Sequence, residues 1–274
     1  MSHIAITLEV NEEQKDLLIA QLSEIAFEGF EEQENKLIAY IPAQDLDEAA
    51  LETILQPYGI GYTKEVILPT NWNEVWESNF QPVQVDDFCG IRAAFHPPFD
   101  PKPAYEIIIT PKMAFGTGHH ATTFSMIRLM KDLPINGKRV FDFGTGTGIL
   151  AILAEMMGAT AIDAIDYDEW AVNNTVENIQ ANGMQKTKVW QADTLEGIQS
   201  TYDIILANIN CNILLQFMGE MRRILADDGQ LLLSGILTTD EEKITEAANA
   251  VGLVLTRKQE KDNWLALQFG LNKS

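Results

Sequence analysis

The chain is poor in cysteine, basic residues and long apolar runs. Its two cysteines, Cys89 and Cys211, stand far apart in 274 residues, so neither a disulfide framework nor a zinc site is predicted, and a reducing cytoplasm is expected. No stretch approaches the roughly 20 apolar residues that span a membrane. The N-terminus lacks a basic leader and a small-residue cleavage site. We therefore expect a soluble, uncleaved, cytoplasmic protein with no membrane association.

The charge is strongly one-sided. With 19 Lys and Arg against 40 Asp and Glu, the formal net charge is −21. Such a field repels phosphate backbones and attracts basic partners. The same charge is also typical of a surface that is merely kept soluble. The composition thus argues against direct nucleic-acid binding and is compatible with a basic protein partner.

The N-terminal part has the pattern of a small separate domain. Its length leaves room for two unequal domains, and residues 1–68 alternate in the order strand, helix, strand, strand, helix, strand. This order is typical of the ferredoxin-like arrangement. The predicted elements are a strand at 3–10, a helix stopping at Gly29, strands at 30–34 and 36–41, a helix at 45–56 and a strand at 62–68.

Residues 69–82 are predicted to link this domain to a second one over residues 83–274. The linker contains Trp72 and Trp76, one helical turn apart, which we expect to pack against a neighbour. After a proline-rich stretch at 81–103 and a strand at EIIIT, short apolar runs alternate with helices from Val140 onward. Alternation of this kind predicts an α/β, doubly wound, Rossmann-like parallel sheet. The last stretch, LVLTRKQEKDNWLALQFG, predicts a hairpin that places an antiparallel strand within it.

The strongest local signal is a glycine-rich turn. In VFDFGTGTGILAI an apolar strand is followed by Gly144, Gly146 and Gly148 and then by a helix, an arrangement that lets a ligand approach the backbone closely. The GxGxG spacing departs from the GxGxxG dinucleotide fingerprint. Asp142 disfavours a pyrophosphate and favours the aminium group of S-adenosylmethionine. The turn therefore predicts a methyl donor as cofactor.

Polar residues stand at the carboxyl ends of the next three predicted strands. Asp166, 22 residues after Gly144, suits a carboxylate that accepts both ribose hydroxyls, and Asp168 is expected to cap the following helix. Asp193 is predicted either to bind the exocyclic amine of adenine or to close a turn. Asn208 follows a run of apolar residues at the carboxyl end of its strand, where open α/β sheets bind ligands; we expect it to accept from an attacking amine.

A second polar segment, KMAFGTGHHATT, precedes a helix that begins near Ala121. His119 and His120 are poor metal ligands, because neighbours cannot readily face one ion and no third ligand is evident, so no metal is predicted. The segment is interpreted either as a helix cap or as a loop that covers the cofactor.

These segments together resemble one family, the bacterial methyltransferases that modify the large-subunit ribosomal protein L11. AFGTGHHATT is similar to that family's AFGTGTHPTT loop and FDFGTGTGILAI to its glycine-rich motif. IDYD, LANI and LSGIL are similar to its acidic segment, its post-strand motif and a later strand. The resemblance covers nearly the whole chain, and the combination is specific although each piece alone is not.

The resemblance implies a protein methyltransferase that uses S-adenosyl-L-methionine to methylate lysine ε-amines and the N-terminal α-amine of L11. It implies that the N-terminal domain recognises this substrate and that the enzyme is a monomer. His119 and Ala121 depart from the family's Thr and Pro. The residues carried over for the cofactor, together with those predicted above, are Phe115, Gly116, Thr117, Thr123, Gly144, Gly146, Asp166, Asp193 and Asn208, the last also as the catalytic residue.

Three alternatives stay open at this point. A glutamine-amide or other protein methyltransferase would share the fold, although such glutamine enzymes carry Asn-Pro-Pro-Tyr where this chain has Asn208, Ile209, Asn210 and Cys211. A non-catalytic ribosome-assembly protein could keep the same binding site. A dinucleotide-dependent oxidoreductase is disfavoured by the glycine spacing.

Overall fold

The computed structural model describes residues 3–67, 80–110 and 118–271. The chain divides into two compact units, Met1–Ser78 and Asn79–Ser274. Trp72, Trp76 and most of the predicted linker lie outside the described residues, and so does the segment 111–117. No described helix is long and apolar enough to cross a membrane.

The first unit is an antiparallel four-stranded sheet with two helices. Its sheet order is β2-β3-β1-β4, with every pairing antiparallel, which confirms the predicted ferredoxin-like arrangement. Its elements are β1 (His3–Glu9), α1 (Glu12–Ser23), β2 (Gly29–Gln33), β3 (Lys36–Pro42), α2 (Glu48–Leu55) and β4 (Tyr62–Ile67).

Helix α1 is shorter than predicted. Asn11 and Gln14 form a capping box at its start, but the helix ends at Ser23 instead of Gly29. The chain turns at Ala26, whose φ is +70°, and this turn brings Phe27 into the core at 4% exposure. Burial of one aromatic ring therefore outweighs continuation of the helical pattern.

The second unit contains a large mixed sheet and a small separate sheet. Its elements are β5 (Val83–Val85), β6 (Cys89–Ala93), β7 (Tyr105–Ile109), α3 (Ala121–Met130), β8 (Arg139–Phe143), α4 (Ile149–Met156), β9 (Ala161–Asp166), α5 (Glu169–Ala181), β10 (Thr187–Gln191), β11 (Tyr202–Asn208), α6 (Cys211–Ile224), β12 (Leu225–Leu237), α7 (Glu241–Ala250), β13 (Leu253–Lys261) and β14 (Trp264–Leu271).

The large sheet has the order β10-β9-β8-β11-β12-β14-β13. Strands β8 to β12 pair in parallel, whereas β14 runs antiparallel to both β12 and β13. The predicted doubly wound Rossmann-like sheet and its terminal hairpin are both confirmed. Successive residues of each central strand serve opposite faces: in β8, Val140 packs into the core on one face and Phe141 into the core on the other.

The small sheet contains two strands that the sequence did not predict. β5 pairs antiparallel with β6, and β6 pairs parallel with β7; only β7 was expected. The prolines between 81 and 103 suggested irregular structure, yet all five residues of β6 are buried. A short strand buried on both faces has no polar alternation by which it could be recognised.

The strand order places a crevice at one edge of the large sheet. From β8 the chain continues to β9 on one side, while β11 pairs on the other side of β8. Connections leave β8 and β11 in opposite directions, so a gap opens at their carboxyl ends, where open α/β sheets bind ligands.

Candidate active site

A cleft of about 480 Å³ lies at the carboxyl ends of β8, β9 and β11. Gly144, Gly146, Asp166 and Asn208 all line it, so four predicted site residues from three strands meet there. The other lining residues are His120, Thr122, Tyr167, Asp168, Ala171, Ile209, Asn210, Gly235 and Trp264.

The glycine-rich turn forms one wall of the cleft. Gly144 and Gly146 have φ values of +75° and +59°, a region in which residues with a Cβ are strained. A Cβ on Gly144 would lie 2.2 Å from Ile209 Cγ2, which is well inside van der Waals contact. Glycine at this position therefore serves both the backbone conformation and the close approach of the turn to the end of β11.

Asp166 ties the turn to the end of β9. Gly146 N–H donates to its Oδ2 at 2.9 Å, and Asp168 N–H donates to its Oδ1 at 3.1 Å. Each carboxylate oxygen has room for about one further hydrogen bond, so the group can still accept from a vicinal diol. Asp168 caps α5 by accepting from Trp170 N–H at 2.9 Å, which confirms the predicted cap.

Asn208 lines the cleft and carries a buried acceptor. Its Nδ2 donates to Thr123 Oγ1 at 3.3 Å, while its buried Oδ1 has no hydrogen-bond partner among the described residues. A buried polar atom without a partner is costly and marks a place where a ligand can donate. Thr123 itself is 1% exposed and lines a small cavity between α3 and the glycine turn instead of the main cleft.

Asp142 lies beneath the turn. It is 1% exposed, and its Oδ2 accepts from the Thr145 hydroxyl at 2.7 Å. Burial raises the pKa of Asp142 to about 7; the hydrogen bond from Thr145 opposes this rise and the negative charge of Asp166 adds to it. The carboxyl faces the turn from below and does not line the cleft, in contrast to the orientation expected from the sequence.

Four further predicted residues are not among those that line the cleft. Asp193 is exposed in the bend after β10 and is not among the lining residues, so its contact with adenine stays a prediction. Phe115, Gly116 and Thr117 lie outside the described residues.

His120 caps α3 by accepting from Thr122 N–H at 3.3 Å, which confirms the helix-cap interpretation of its segment, and its ring meets Trp264 edge-on at 4.8 Å. Gly235 and Trp264 line the cleft although the sequence did not indicate them. Gly235 has a φ of +83°, and a Cβ there would lie 2.1 Å from the Ile209 carbonyl oxygen. Trp264 and Gly235 come from the last hairpin and from β12, so only the strand order brings them to the cleft. The glycine in LSGIL was the one available signal.

Known proteins match the chain along nearly its full length. A family model described as "Ribosomal protein L11 methyltransferase (PrmA)" matches residues 3–272. The chain belongs to the ribosomal protein L11 methyltransferase family. A relative so named from Porphyromonas gingivalis is 44% identical over 93% of this chain and 90% of its own length. One from Bacteroides fragilis strain ATCC 25285 is 42% identical over 93% and 94%.

A solved structure supports the same assignment. The crystal structure of ribosomal protein L11 methylase from Lactobacillus delbrueckii subsp. bulgaricus superposes with a TM-score of 0.65 at 27% identity, covering 70% of this chain and 100% of that one. As a member of this family, the chain is an S-adenosylmethionine-dependent protein methyltransferase with a class I fold.

The cleft fits that cofactor. The turn at Gly144 lets a ligand approach the backbone. Asp166 retains acceptor capacity for the two ribose hydroxyls, and Asn208 Oδ1 has no hydrogen-bond partner among the described residues. S-adenosylmethionine supplies an electrophilic methyl group on a sulfonium when bound. Among the described residues no cluster of His, Cys, Asp and Glu could hold a metal ion.

We predict that Gly144→Ala weakens cofactor binding, as measured by calorimetric titration of S-adenosylhomocysteine, by about tenfold or more. The added methyl group collides with Ile209 in the wall of the cleft. Gly137→Ala is the matched control, because Gly137 also has a positive φ, +80°, but has no atom within 4 Å of the added Cβ. Both variants lose about 1–2 kcal/mol to backbone strain, and only the first loses affinity; similar affinities for both would remove the steric argument.

We also predict that Asp142→Asn changes the pH dependence of stability. Because the pKa of Asp142 is raised in the folded state to about 7, the folded chain binds the proton more tightly than the unfolded chain. Wild-type stability is therefore lost as pH rises from about 4 to about 7. The Asn variant lacks this loss and gains about 2–4 kcal/mol over the wild type across that window.

Urea denaturation of the cofactor-free chain at several pH values checks this expectation. Asp227→Asn is the control, since that side chain is fully exposed and its substitution should leave the pH profile parallel to the wild type. A constant offset between Asp142→Asn and the wild type at every pH would show that Asp142 does not titrate in this window.

Proposed function

We propose that the chain transfers methyl groups from S-adenosylmethionine to lysine ε-amines and the N-terminal α-amine of ribosomal protein L11. The relatives carry this protein in their names, and the net charge of −21 suits a basic partner. The observation that carries the amine assignment is the buried Asn208 Oδ1, an acceptor with no partner among the described residues.

The attacking amine must be neutral. A lysine with an ordinary pKa of about 10.4 needs about 4.6 kcal/mol to lose its proton at pH 7. Withdrawal of the amine from water into the cleft lowers that cost, because burial disfavours the charged form. Asn208 has no titrating group and cannot take the proton, so the proton leaves to water while Oδ1 accepts an N–H of the neutral amine.

Thr123 contacts the side-chain amide of Asn208. Asn208 Nδ2 donates to the Thr123 hydroxyl, and this leaves the amide oxygen as the atom that can accept from another donor. In the proposed arrangement the nucleophile lies beside that oxygen. Alignment of the nucleophile with the methyl carbon and sulfur supplies most of the acceleration when no acid or base is involved.

The residues after Asn208 favour an amine over a glutamine amide. Asn210 accepts from Ile213 N–H at 3.1 Å and caps α6, and Ile209 packs against Gly144 and Gly235. No aromatic side chain follows Asn208 to support a planar amide. The aromatic residues that line the cleft, His120, Tyr167 and Trp264, precede α3, follow β9 and begin β14, respectively.

The N-terminal unit is proposed to recognise the protein substrate. It is compact in itself, and none of its residues that the structure describes, 3–67, lines the cleft at β8, β9 and β11. We propose further that the enzyme acts as a monomer in the cytoplasm, where newly made ribosomal proteins are found, without binding nucleic acid directly.

Total ribosomal protein incubated with the purified chain and isotope-labelled S-adenosylmethionine, followed by mass mapping, tests the function. The expected result is a gain of methyl masses confined to L11, on lysine side chains and the first residue. Label on a glutamine side chain would establish the amide alternative. Cofactor binding with no gain in mass on any protein would favour a ribosome-assembly role.

We predict that Asn208→Ala lowers kcat on L11 by about 100-fold at saturating cofactor, because the nucleophile loses its positioning acceptor. Thr123→Val should lower kcat about tenfold, since the Asn208 amide is then free to rotate, and Thr123→Ser should restore activity. Steady-state rates with purified L11 measure this. A Val variant as active as the Ser variant would show that Thr123 does not orient Asn208.

Removal of residues 1–78 is predicted to separate the two units functionally. The chain starting at Asn79 should keep its affinity for S-adenosylhomocysteine within about twofold, because all described cleft residues remain. Its kcat/KM for L11 should fall by about 100-fold, mainly through KM, if the first unit supplies uniform binding. Equal loss of cofactor affinity and activity would mean that the first unit only supports the fold.

A further inference from the structure

Three asparagines on one side of α5, two within the helix and one directly after its last residue, bond to backbone groups outside the helix. Asn174, Asn178 and Asn182 stand four residues apart, and side chains at this spacing share a helix face. Asn174 and Asn178 are 1% and 0% exposed. Asparagine is a weak helix former, so three of them at one spacing, pointing inward, are explained by their hydrogen bonds and not by helix propensity.

The asparagines line the edge of β7 that does not pair with β6. Asn182 accepts from Ile108 N–H at 2.8 Å and donates to Ile108 O at 2.6 Å. Asn178 accepts from Thr110 N–H at 2.8 Å, and Asn174 donates to Thr110 O at 3.2 Å. These amides take the place of a neighbouring strand for β7, which satisfies backbone groups that would otherwise be buried without partners.

Asn178 has a second bond that its neighbours lack. Its Nδ2 donates to the carbonyl of Thr147, inside the glycine-rich turn, at 2.8 Å. One turn of α5 earlier, the Thr175 hydroxyl donates to the preceding carbonyl, that of Gly146, at 2.7 Å. Two successive peptide units of the turn are thus held from behind by buried side chains of α5.

These two hydrogen bonds set the orientation of the peptide groups in the glycine-rich turn. A peptide unit is planar, with its C=O and N–H pointing in opposite directions. Holding the Gly146 and Thr147 carbonyls toward α5 therefore points the N–H groups of Thr147 and Gly148 away from it, and it restrains the neighbouring peptide that carries the N–H of Gly146. Gly146 N–H in turn donates to Asp166 at the cleft. Glycine-rich backbone has little stiffness of its own, so its orientation depends on such external bonds.

We propose that Asn178 is a positioning residue for the cofactor site, joining the glycine-rich turn to the edge of β7 without reaching the cleft itself. The inference rests on the cofactor site described above. Loss of the Thr147 bond lets the turn relax, and the carboxylate of Asp166 loses the fixed N–H of Gly146. Asn178 therefore acts on cofactor affinity, whereas Asn182, which bonds only to β7 and to the backbone of Asn178, supports stability alone.

Asn178→Asp tests this with the least change in shape. The Asp keeps an oxygen for Thr110 N–H but places its second oxygen against the Thr147 carbonyl. Asn182→Asp is the matched control. It keeps an oxygen that accepts from the N–H of Ile108, and it loses the N–H donor to the carbonyl of Ile108. Full-length variants are titrated with S-adenosylhomocysteine by calorimetry, and their melting temperatures are measured without cofactor.

Both variants are expected to melt at lower temperature, and only Asn178→Asp is expected to raise the Kd, by about tenfold. Its Kd should recover as pH falls, because a protonated carboxyl can again donate to Thr147 O. Equal Kd values for the two variants, whether changed or unchanged, would overturn the proposal. A wild type that fails to bind the cofactor would instead overturn the function assigned to the cleft.

Thr175→Val provides a second variant should Asn178→Asp not fold. It removes the hydroxyl bond to the Gly146 carbonyl without a change in volume, and Thr175→Ser keeps that bond. A weaker affinity in the Val variant that the Ser variant restores would support the grip of α5 on the turn. Unchanged affinity in both would contradict it.

Discussion

The carboxylate of Asp166 is the contact on which the site depends. It joins the end of β9, the glycine turn after β8 and the start of α5 through two backbone N–H donors, those of Gly146 and Asp168. Charge-assisted hydrogen bonds of this kind are stronger than neutral ones. Because the same group keeps acceptor capacity, structural support and the proposed ligand recognition reside in one side chain.

A second acid lies close to the first and has a different environment. Asp142 is buried beneath the turn, and burial together with the charge of Asp166 raises its pKa to about 7. Two nearby carboxyls whose environments differ do not share their roles. The acid at the strand tip lines the cleft, whereas the buried acid accepts from Thr145 in the turn.

Much of the fold and four of the thirteen residues that line the cleft could be predicted, for identifiable reasons. Gly144, Asp166 and Asn208 each follow an apolar strand, and the carboxyl ends of parallel strands meet at one edge, so local pattern sufficed. Asp142 also stands near the carboxyl end of an apolar strand, β8. Alternation along β8 does not show which face of the strand the glycine-rich turn covers. The Asp142 side chain lies below the turn, outside the cleft.

The unpredicted parts depend on contacts between distant segments. Gly235 reaches the cleft because β12 lies beside β11, and Trp264 because β14 lies beside β12. This strand order is decided by packing of the whole sheet. β6 was hidden because a strand buried throughout has no polar alternation. The hydrogen bonds between α5 and β7 could not be predicted either, because the sequence does not show whether an asparagine in a helix faces solvent or the edge of a strand.

Methyl transfer makes heavy use of such indirect support. With no metal predicted and no side chain in the proposed mechanism taking a proton, the rate depends on how well the nucleophile is aligned, and displacements of about 1 Å cost orders of magnitude. Asn208 is oriented by Thr123, and the turn is oriented by Asp166 from the front and by Asn178 and Thr175 from behind. Short polar side chains with few rotamers suit this task, because little conformational entropy is lost when each is fixed. In the proposed arrangement, residues one layer behind the cleft thus bear on catalysis although they line no part of it.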